Sequence, residues 1–182
     1  VLMKARFKTI LLSAMSVIAA FTAVTYTSCN NDKCKSIVCA HDGVCKDGAC
    51  ICKSGYEGTQ CEIVTADKYK GVWNVFEKGT YTDANQYQIS IDYGSDPTRM
   101  VINGFHNAVT MPVTINISGD NITIPQQKVG QYVIQGTGTL KYEEYYANHG
   151  TLTVRYTIMD TEDGNKIDDY GVNAGAPSVW SR

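Results

Sequence analysis

The chain has 182 residues and a formal net charge of −2, from 16 Lys and Arg against 18 Asp and Glu. Its composition is 43% hydrophobic, with seven Cys, twelve Tyr and two Trp. A slightly acidic chain without a Lys/Arg cluster lacks the electrostatic footprint that nucleic acid requires, so nucleic acid is excluded as an expected partner.

Residues 1–28 predict an export signal. Lys4, Arg6 and Lys8 precede an apolar stretch, Ile10 to Val24, and no acidic residue interrupts it. The stretch has the length of a cleaved signal, about 15 residues at most, and falls short of the roughly 20 that span a bilayer. Removal of the signal leaves a mature chain with a net charge of about −5.

A seventh cysteine follows the apolar stretch in Thr27-Ser28-Cys29. This tripeptide resembles the lipobox of bacterial lipoproteins, in the relaxed form of Bacteroidota because Tyr26 replaces the usual Leu. The resemblance implies that Cys29 is lipidated, becomes the first mature residue and anchors an outer-membrane lipoprotein that faces the periplasm or the cell surface, with residues 29–33 as a tether. The alternatives are an ordinary signal with a free thiol or an uncleaved anchor, and each also places the protein outside the cytoplasm.

Six cysteines lie between Cys34 and Cys61 in the spacing C-x4-C-x5-C-x4-C-x-C-x8-C. Such a short segment cannot bury a core that offsets its chain entropy, so the pattern predicts disulfides in an oxidising compartment. The spacing alone does not choose among the pairings. We expect neither zinc, because no C-x2-C pair is present, nor calcium, because the residues before Cys34 are Asn30-Asn31-Asp32-Lys33.

The end of this segment, Cys50 to Cys61, fits the C-terminal pattern of EGF-like domains, with the Gly55-Tyr56 pair and Gly58 in place. The resemblance implies an EGF-like domain over residues 34–61 that serves as a spacer or contact module. It also implies three disulfides, which join Cys34 to Cys45, Cys39 to Cys50 and Cys52 to Cys61.

Residues 62–67 are expected to be a linker, and residues 68–182 predict one antiparallel β domain. Apolar and polar residues alternate in short runs separated by turn residues, which is the period of a half-buried strand. No run has the pattern of an amphipathic helix. The runs are 72–77, 87–93, 100–105, 113–117, 122–125, 132–140 and 152–159.

The tripeptide Gly71-Val72-Trp73 resembles the Gly-x-Trp opening of lipocalins and other calycins. The resemblance implies an eight-stranded barrel with Trp73 plugging its closed end, and a β-sandwich stays as the alternative. A calycin-like barrel could carry a small apolar ligand unless bulky inward residues fill it. Alternation predicts an inward set of Trp73, Val75, Ile89, Ile91, Val101, Val113, Ile115, Ile117, Val154 and Ile158.

Groups suited to catalysis are few in the β domain. His106 and His149 are predicted to be solvated loop residues, and no G-x-S-x-G elbow is present. The acidic pairs Glu143-Glu144 and Asp168-Asp169 are candidates for a glycosidase, yet their neighbours favour solvated charges. We therefore expect that the chain is not an enzyme and that it binds no cofactor or metal. A carbohydrate-active enzyme is the remote alternative.

Tyrosine is the residue type most suggestive of binding. Tyr142, Tyr145, Tyr146 and Trp73 are candidate ligand or partner contacts because aromatic side chains stack on sugar rings and peptides, although cross-strand packing would also explain the tyrosines. The sequence as a whole predicts an exported, membrane-anchored lipoprotein whose β domain binds a protein or glycan partner. A carrier of a small apolar ligand is the alternative.

Overall fold

A computed structural model describes residues 33–143, 149–164 and 166–182. The export signal, Cys29, Tyr145 and Tyr146 lie outside the described residues. The described part consists of strands with two short 3-10 segments, Thr65–Lys68 and Phe105–Asn107, and contains no α-helix. Among these residues, no helix has the length and apolar character needed to cross a membrane.

The EGF-like module consists of two small hairpins. Strands β1 (Val44–Lys46) and β2 (Ala49–Ile51) pair through the turn Asp47-Gly48, where φ is 53° and 90°, as a type I′ hairpin turn requires. Strands β3 (Tyr56–Glu57) and β4 (Ile63–Val64) form the second hairpin. Disulfides join Cys34 to Cys45, Cys39 to Cys50 and Cys52 to Cys61, which is the pairing that the EGF-like resemblance implies.

The second domain is a closed antiparallel barrel, so the prediction of a mainly-β fold with an antiparallel β-barrel is confirmed. The strands are β5 (Gly71–Glu77), β6 (Asn85–Tyr93), β7 (Arg99–Asn103), β8 (Val113–Ser118), β9 (Asn121–Val129), β10 (Tyr132–Tyr142), β11 (Gly150–Asp160), β12 (Lys166–Tyr170) and β13 (Ser178–Ser181). From β5 to β12 each strand pairs with the next along the chain, and β13 pairs with both β11 and β5, so the barrel closes and the sandwich is excluded.

The eighth position of the barrel is shared by β12 and β13. Both pair with the same edge of β11, β12 at residues 156–160 and β13 at residues 151–154. The segment 171–177 interrupts them. Alternation did not predict β12 because three of its consecutive residues, Asp168 to Tyr170, are buried. It did not predict β13 because that strand has only four residues.

Bulky apolar side chains fill much of the barrel interior. Nine of the ten predicted inward residues are buried, with at most 4% of their surface exposed. The exception is Val101, which is half-buried, while its neighbours Met100 and Ile102 are fully buried. Because Met100, Val101 and Ile102 are all apolar, the alternating pattern does not show which face of β7 points inward.

One end of the barrel is closed by the segment that leads into β5 and by the C-terminus. Trp73 is fully buried there, and its Nε1 donates a 2.8 Å hydrogen bond to the Tyr69 carbonyl oxygen. The Arg182 guanidinium lies 4.7 Å from the Trp73 ring centroid and donates to the carbonyl oxygens of Lys68 and Lys70. This arrangement fits the plug that the calycin resemblance implies for Trp73.

The EGF-like module contacts this closed end. Lys68 Nζ lies 3.0 Å from Glu57 in the module and 2.7 Å from Asp120 in the β8–β9 turn. Gly55 of the module packs so tightly on Pro97 of the β6–β7 loop that a Cβ atom at Gly55 would lie 2.7 Å from the Pro97 Cβ. The module therefore covers the closed end, and the opposite end of the barrel is open.

Candidate binding site at the open end of the barrel

A pocket of about 220 Å3 lies at the open end, where β5, β10 and β12 have their ends and the β7–β8 loop carries His106. At about 30 Å3 of liquid volume per water, it could hold roughly seven waters, which is below the range of drug-sized sites. A ligand of about one sugar residue fits this volume. The lining residues are Tyr81, Thr82, His106, Tyr132, Ile158, Asp160, Asp163, Lys166 and Asp168.

Glu77 lies at the inner end of a buried hydrogen-bond network next to the pocket. Its carboxylate is 2% exposed and accepts hydrogen bonds from Tyr87 Oη at 2.7 Å and Tyr156 Oη at 2.9 Å. It also accepts from Ser178 Oγ at 2.7 Å and from His106 Nδ1 at 3.1 Å. Four donors therefore satisfy a buried charge that would otherwise be costly.

The hydrogen-bond partners of His106 indicate which ring nitrogen carries a hydrogen. This nitrogen contacts the Glu77 carboxylate, Tyr156 Oη at 3.2 Å and Tyr170 Oη at 3.4 Å. Tyr156 donates its own proton to Glu77, and Tyr170 donates its proton to Asp168. Because all three partners are left as acceptors, Nδ1 carries the hydrogen, and in the neutral ring Nε2 is an acceptor.

The prediction that His106 is a solvated loop residue is wrong, since 14% of its side chain is exposed. The backbone has a left-handed conformation at His106 and Asn107, with φ of 54° and 49°. Both lie in the 3-10 segment Phe105–Asn107, which follows Gly104 with φ of 78°. Such values are uncommon for residues other than Gly and cluster at functional sites. The turn brings the imidazole ring over Glu77.

Asp168 and Asp169 are also buried, each 8% exposed, which corrects the prediction of solvated charges. Asp168 accepts hydrogen bonds from Thr80 Oγ1, from the backbone N–H groups of Tyr81 and Thr82, and from Tyr170 Oη. It thus holds the β5–β6 loop against the barrel.

Asp169 has a comparable role in the segment that separates β12 from β13. It accepts hydrogen bonds from the backbone N–H groups of Val172 and Asn173. Alternation missed both carboxylates because their partners lie in loops rather than across a sheet.

The carboxylates of the network are ionised at neutral pH. Burial raises the pKa of Glu77, but hydrogen bonds from His106, Ser178 and Tyr87 outweigh it, so the pKa lies below its ordinary value. The pKa of Asp168 is lowered in the same way, because its hydrogen bonds outweigh its burial. Burial, with the nearby Glu77 charge, raises the pKa of Tyr156 well above its ordinary value, so this hydroxyl keeps its proton.

The aromatic contacts predicted from the sequence do not meet at this pocket. Trp73 is fully buried at the closed end, so its prediction as a ligand or partner contact is corrected: its ring serves the core. Tyr142 is 37% exposed at the end of β10, also near the closed end. Tyr145 and Tyr146 lie outside the described residues, as does Glu144.

Sequence reasoning missed Glu77 and Tyr156, although a signal for each was present. Both occupy inward positions of the alternating pattern, Glu77 after Trp73 and Val75, and Tyr156 between Val154 and Ile158. A charged residue at an inward position of a strand needs buried partners. No group of three or more His, Cys, Asp or Glu suited to a metal ion occurs among the described residues.

The fold defines a two-part class of protein: a disulfide-rich EGF-like module followed by a closed eight-stranded antiparallel barrel. Comparison with protein families agrees for the first part, since the model of the teneurin-like EGF domain matches residues 36–64. No curated protein matches the chain. The family match covers the module, and the barrel is assigned by its strand order alone.

Proposed function

We propose that the chain is an exported, membrane-anchored binding protein whose barrel binds a glycan or protein partner at its open end. The EGF-like module serves as a spacer or contact module between the anchor and the barrel. The observation that carries the proposal is a polar pocket at the open end of a barrel whose other end is covered by the module.

The placement of the module supports an outward-facing pocket. The proposed lipid anchor, Cys29, precedes the module by a few residues in the sequence. The module contacts the closed end through the Lys68–Glu57 ion pair and the Gly55–Pro97 contact. An anchored chain would therefore present the open end on the side away from the membrane.

The lining of the pocket favours a glycan over a small apolar ligand. Tyr81 and Tyr132 offer aromatic rings, and polar side chains make up most of the remaining lining. Among the described residues, buried apolar side chains form one core cluster that fills much of the barrel interior, whereas a carrier needs an open apolar cavity. We therefore do not propose the apolar carrier.

Binding without catalysis fits the state of the two buried carboxylates. Both oxygens of Glu77 and both oxygens of Asp168 already accept hydrogen bonds from the protein. A glycosidase needs one carboxyl group that protonates the leaving group and a second that acts as base or nucleophile. Neither group is free for such a role, so we propose a binding protein and not an enzyme.

A matched pair of tyrosine substitutions tests the binding face. Tyr81 is 65% exposed at the open end, and Tyr93 is 50% exposed at the closed end. We expect the secreted chain from residue 32 onward to bind defined structures on a glycan array, with binding weakened at least fivefold by Tyr81→Ala and unchanged by Tyr93→Ala. Equal loss in both variants would contradict an open-end site.

The anchor is tested separately through Cys29. We expect the wild-type chain in a bacterial host to incorporate radiolabelled palmitate and to sediment with membranes. Cys29→Ser should remove the label and release the protein to the soluble fraction. Label on the Cys29→Ser protein would contradict the lipobox prediction.

A further inference from the structure

The pocket presents more acceptors than donors to a ligand. His106 lines it, and the described hydrogen bonds of the His106 ring all go through Nδ1, which leaves Nε2 for a ligand. In the neutral ring Nε2 has a lone pair, because Nδ1 carries the hydrogen. A ligand that contacts Nε2 of the neutral ring must therefore supply a hydrogen-bond donor.

The charges around the pocket also favour a cationic ligand. Asp160, Asp163 and Asp168 line it against a single Lys166, and Glu77 lies behind His106. The described residues place no Lys or Arg in a salt bridge with any of these four carboxylates. A partly enclosed pocket strengthens their combined field, since water screens it less there than at an open surface.

The rim already shows an ammonium group over an aromatic ring. Lys166 Nζ lies 4.3 Å from the centroid of the Tyr81 ring, within the range of a cation–π contact. Both side chains are exposed, so this contact can open without disturbing the core. A ligand ammonium could take the same position between the Tyr81 face and the carboxylates.

We propose that this pocket binds the protonated amine of a small ligand of about one sugar residue in size, such as an amino sugar. The ammonium group is held by the His106 Nε2 acceptor, the pocket carboxylates and the Tyr81 ring, and it displaces the Lys166 ammonium. This inference rests on the proposed function and names the chemistry that the open end recognises.

Three probes separate the amine from the sugar. Isothermal titration at pH 7 uses glucosamine, N-acetylglucosamine and butylammonium with the secreted chain from residue 32 onward. N-acetylglucosamine keeps the sugar ring and removes the charge, whereas butylammonium keeps the charge without a sugar. We expect glucosamine to bind at least tenfold more tightly than N-acetylglucosamine, with measurable binding of butylammonium.

Two substitutions should change glucosamine affinity in opposite directions. Asp163→Asn removes one pocket charge, and we expect about fivefold weaker binding. The Asp163 side chain is exposed, and its described hydrogen bonds use its backbone atoms. Lys166→Met removes the competing ammonium, and we expect severalfold tighter binding. Asp83→Asn is the matched control, since Asp83 is exposed in the β5–β6 loop and does not line the pocket.

Each outcome decides the inference. Tighter binding of glucosamine, together with opposite effects of Asp163→Asn and Lys166→Met, supports the inference. Binding of butylammonium but of neither sugar also supports an amine site, and it indicates that the natural amine is not a sugar. Equal binding of the two sugars overturns the amine inference and leaves the proposed glycan binding standing. Absence of binding by all three probes also overturns it, while the glycan array tests the proposed function independently.

Discussion

Replacement of Glu77 by Gln removes a buried negative charge while keeping the shape of the side chain. Four donors point at this carboxylate, and a hydrogen bond to a charged group is worth about 1 kcal/mol more than a neutral one. The four weakened hydrogen bonds together cost about 4 kcal/mol of folding free energy. About 2 kcal/mol of this is regained, because a neutral amide costs less to bury than a carboxylate. We expect a net destabilisation of about 2 kcal/mol, or a Tm lower by about 8 °C.

The pH dependence of this difference follows from the sign of the pKa shift. The folded pKa of Glu77 is lowered, so its stabilisation is present above the ordinary Glu pKa of about 4.3 and is lost as the pH falls through the folded value. Wild type and Glu77→Gln should therefore differ at pH 7 and converge in stability below pH 4. A difference that stays constant across this range would refute the charge argument.

Tryptophan fluorescence is a suitable assay for this variant. The two Trp residues, Trp73 and Trp180, are both buried in the barrel, so their emission reports barrel unfolding without a signal from the EGF-like module. Glu162→Gln is the matched control because Glu162 is exposed in the β11–β12 turn. An equally large effect in the control, or no effect of Glu77→Gln at pH 7, would refute the role assigned to the network.

Three further predictions concern other parts of the chain. Burial raises the pKa of Tyr156, so its contribution to the free energy of unfolding is fully present below about pH 10 and is lost above about pH 10. We expect the loss to be about 1.4 kcal/mol per pH unit. Urea unfolding of Tyr156→Phe should therefore show a flatter alkaline profile than wild type. Arg182→Met should cost the barrel about 2 kcal/mol in urea unfolding, because the contacts with Trp73 and two carbonyl oxygens are lost, whereas exposed Arg155→Met should have little effect. Removal of the Cys52–Cys61 disulfide by paired Ser substitutions should destabilise the module by about 3 kcal/mol and speed its proteolysis, and an unchanged rate would contradict its structural role.

The strand pattern was readable from the sequence because side chains of a strand alternate between two faces. The runs at Val72 to Glu77 and Leu152 to Met159 gave the positions of β5 and β11 and their inward residues. The same rule failed at Val101, where apolar neighbours occupy both faces of β7. It also failed for β12 and β13, because an inserted segment separates two short strands that share one edge of β11.

The candidate site was largely outside the reach of sequence reasoning. Glu77 was visible as a charge at an inward position, but its partners come from distant parts of the chain, and Ser178 lies 101 residues away in sequence. His106 lies in the β7–β8 loop, its own left-handed backbone turns its ring inward, and no periodic pattern encodes that turn. The neighbouring residues therefore indicated a solvated His106 and solvated carboxylates where the structure has a buried network.

The cysteine framework and the mainly-β character of the second domain follow from the sequence alone, because both depend on local spacing: disulfide-rich segments need their cysteines close together, and strands need alternation. Three features are visible only in the folded barrel: β13 closes on β5, the module covers one end, and Glu77, His106 and the pocket carboxylates meet at the other. These features arise from contacts between residues far apart in sequence, which form only when the barrel closes.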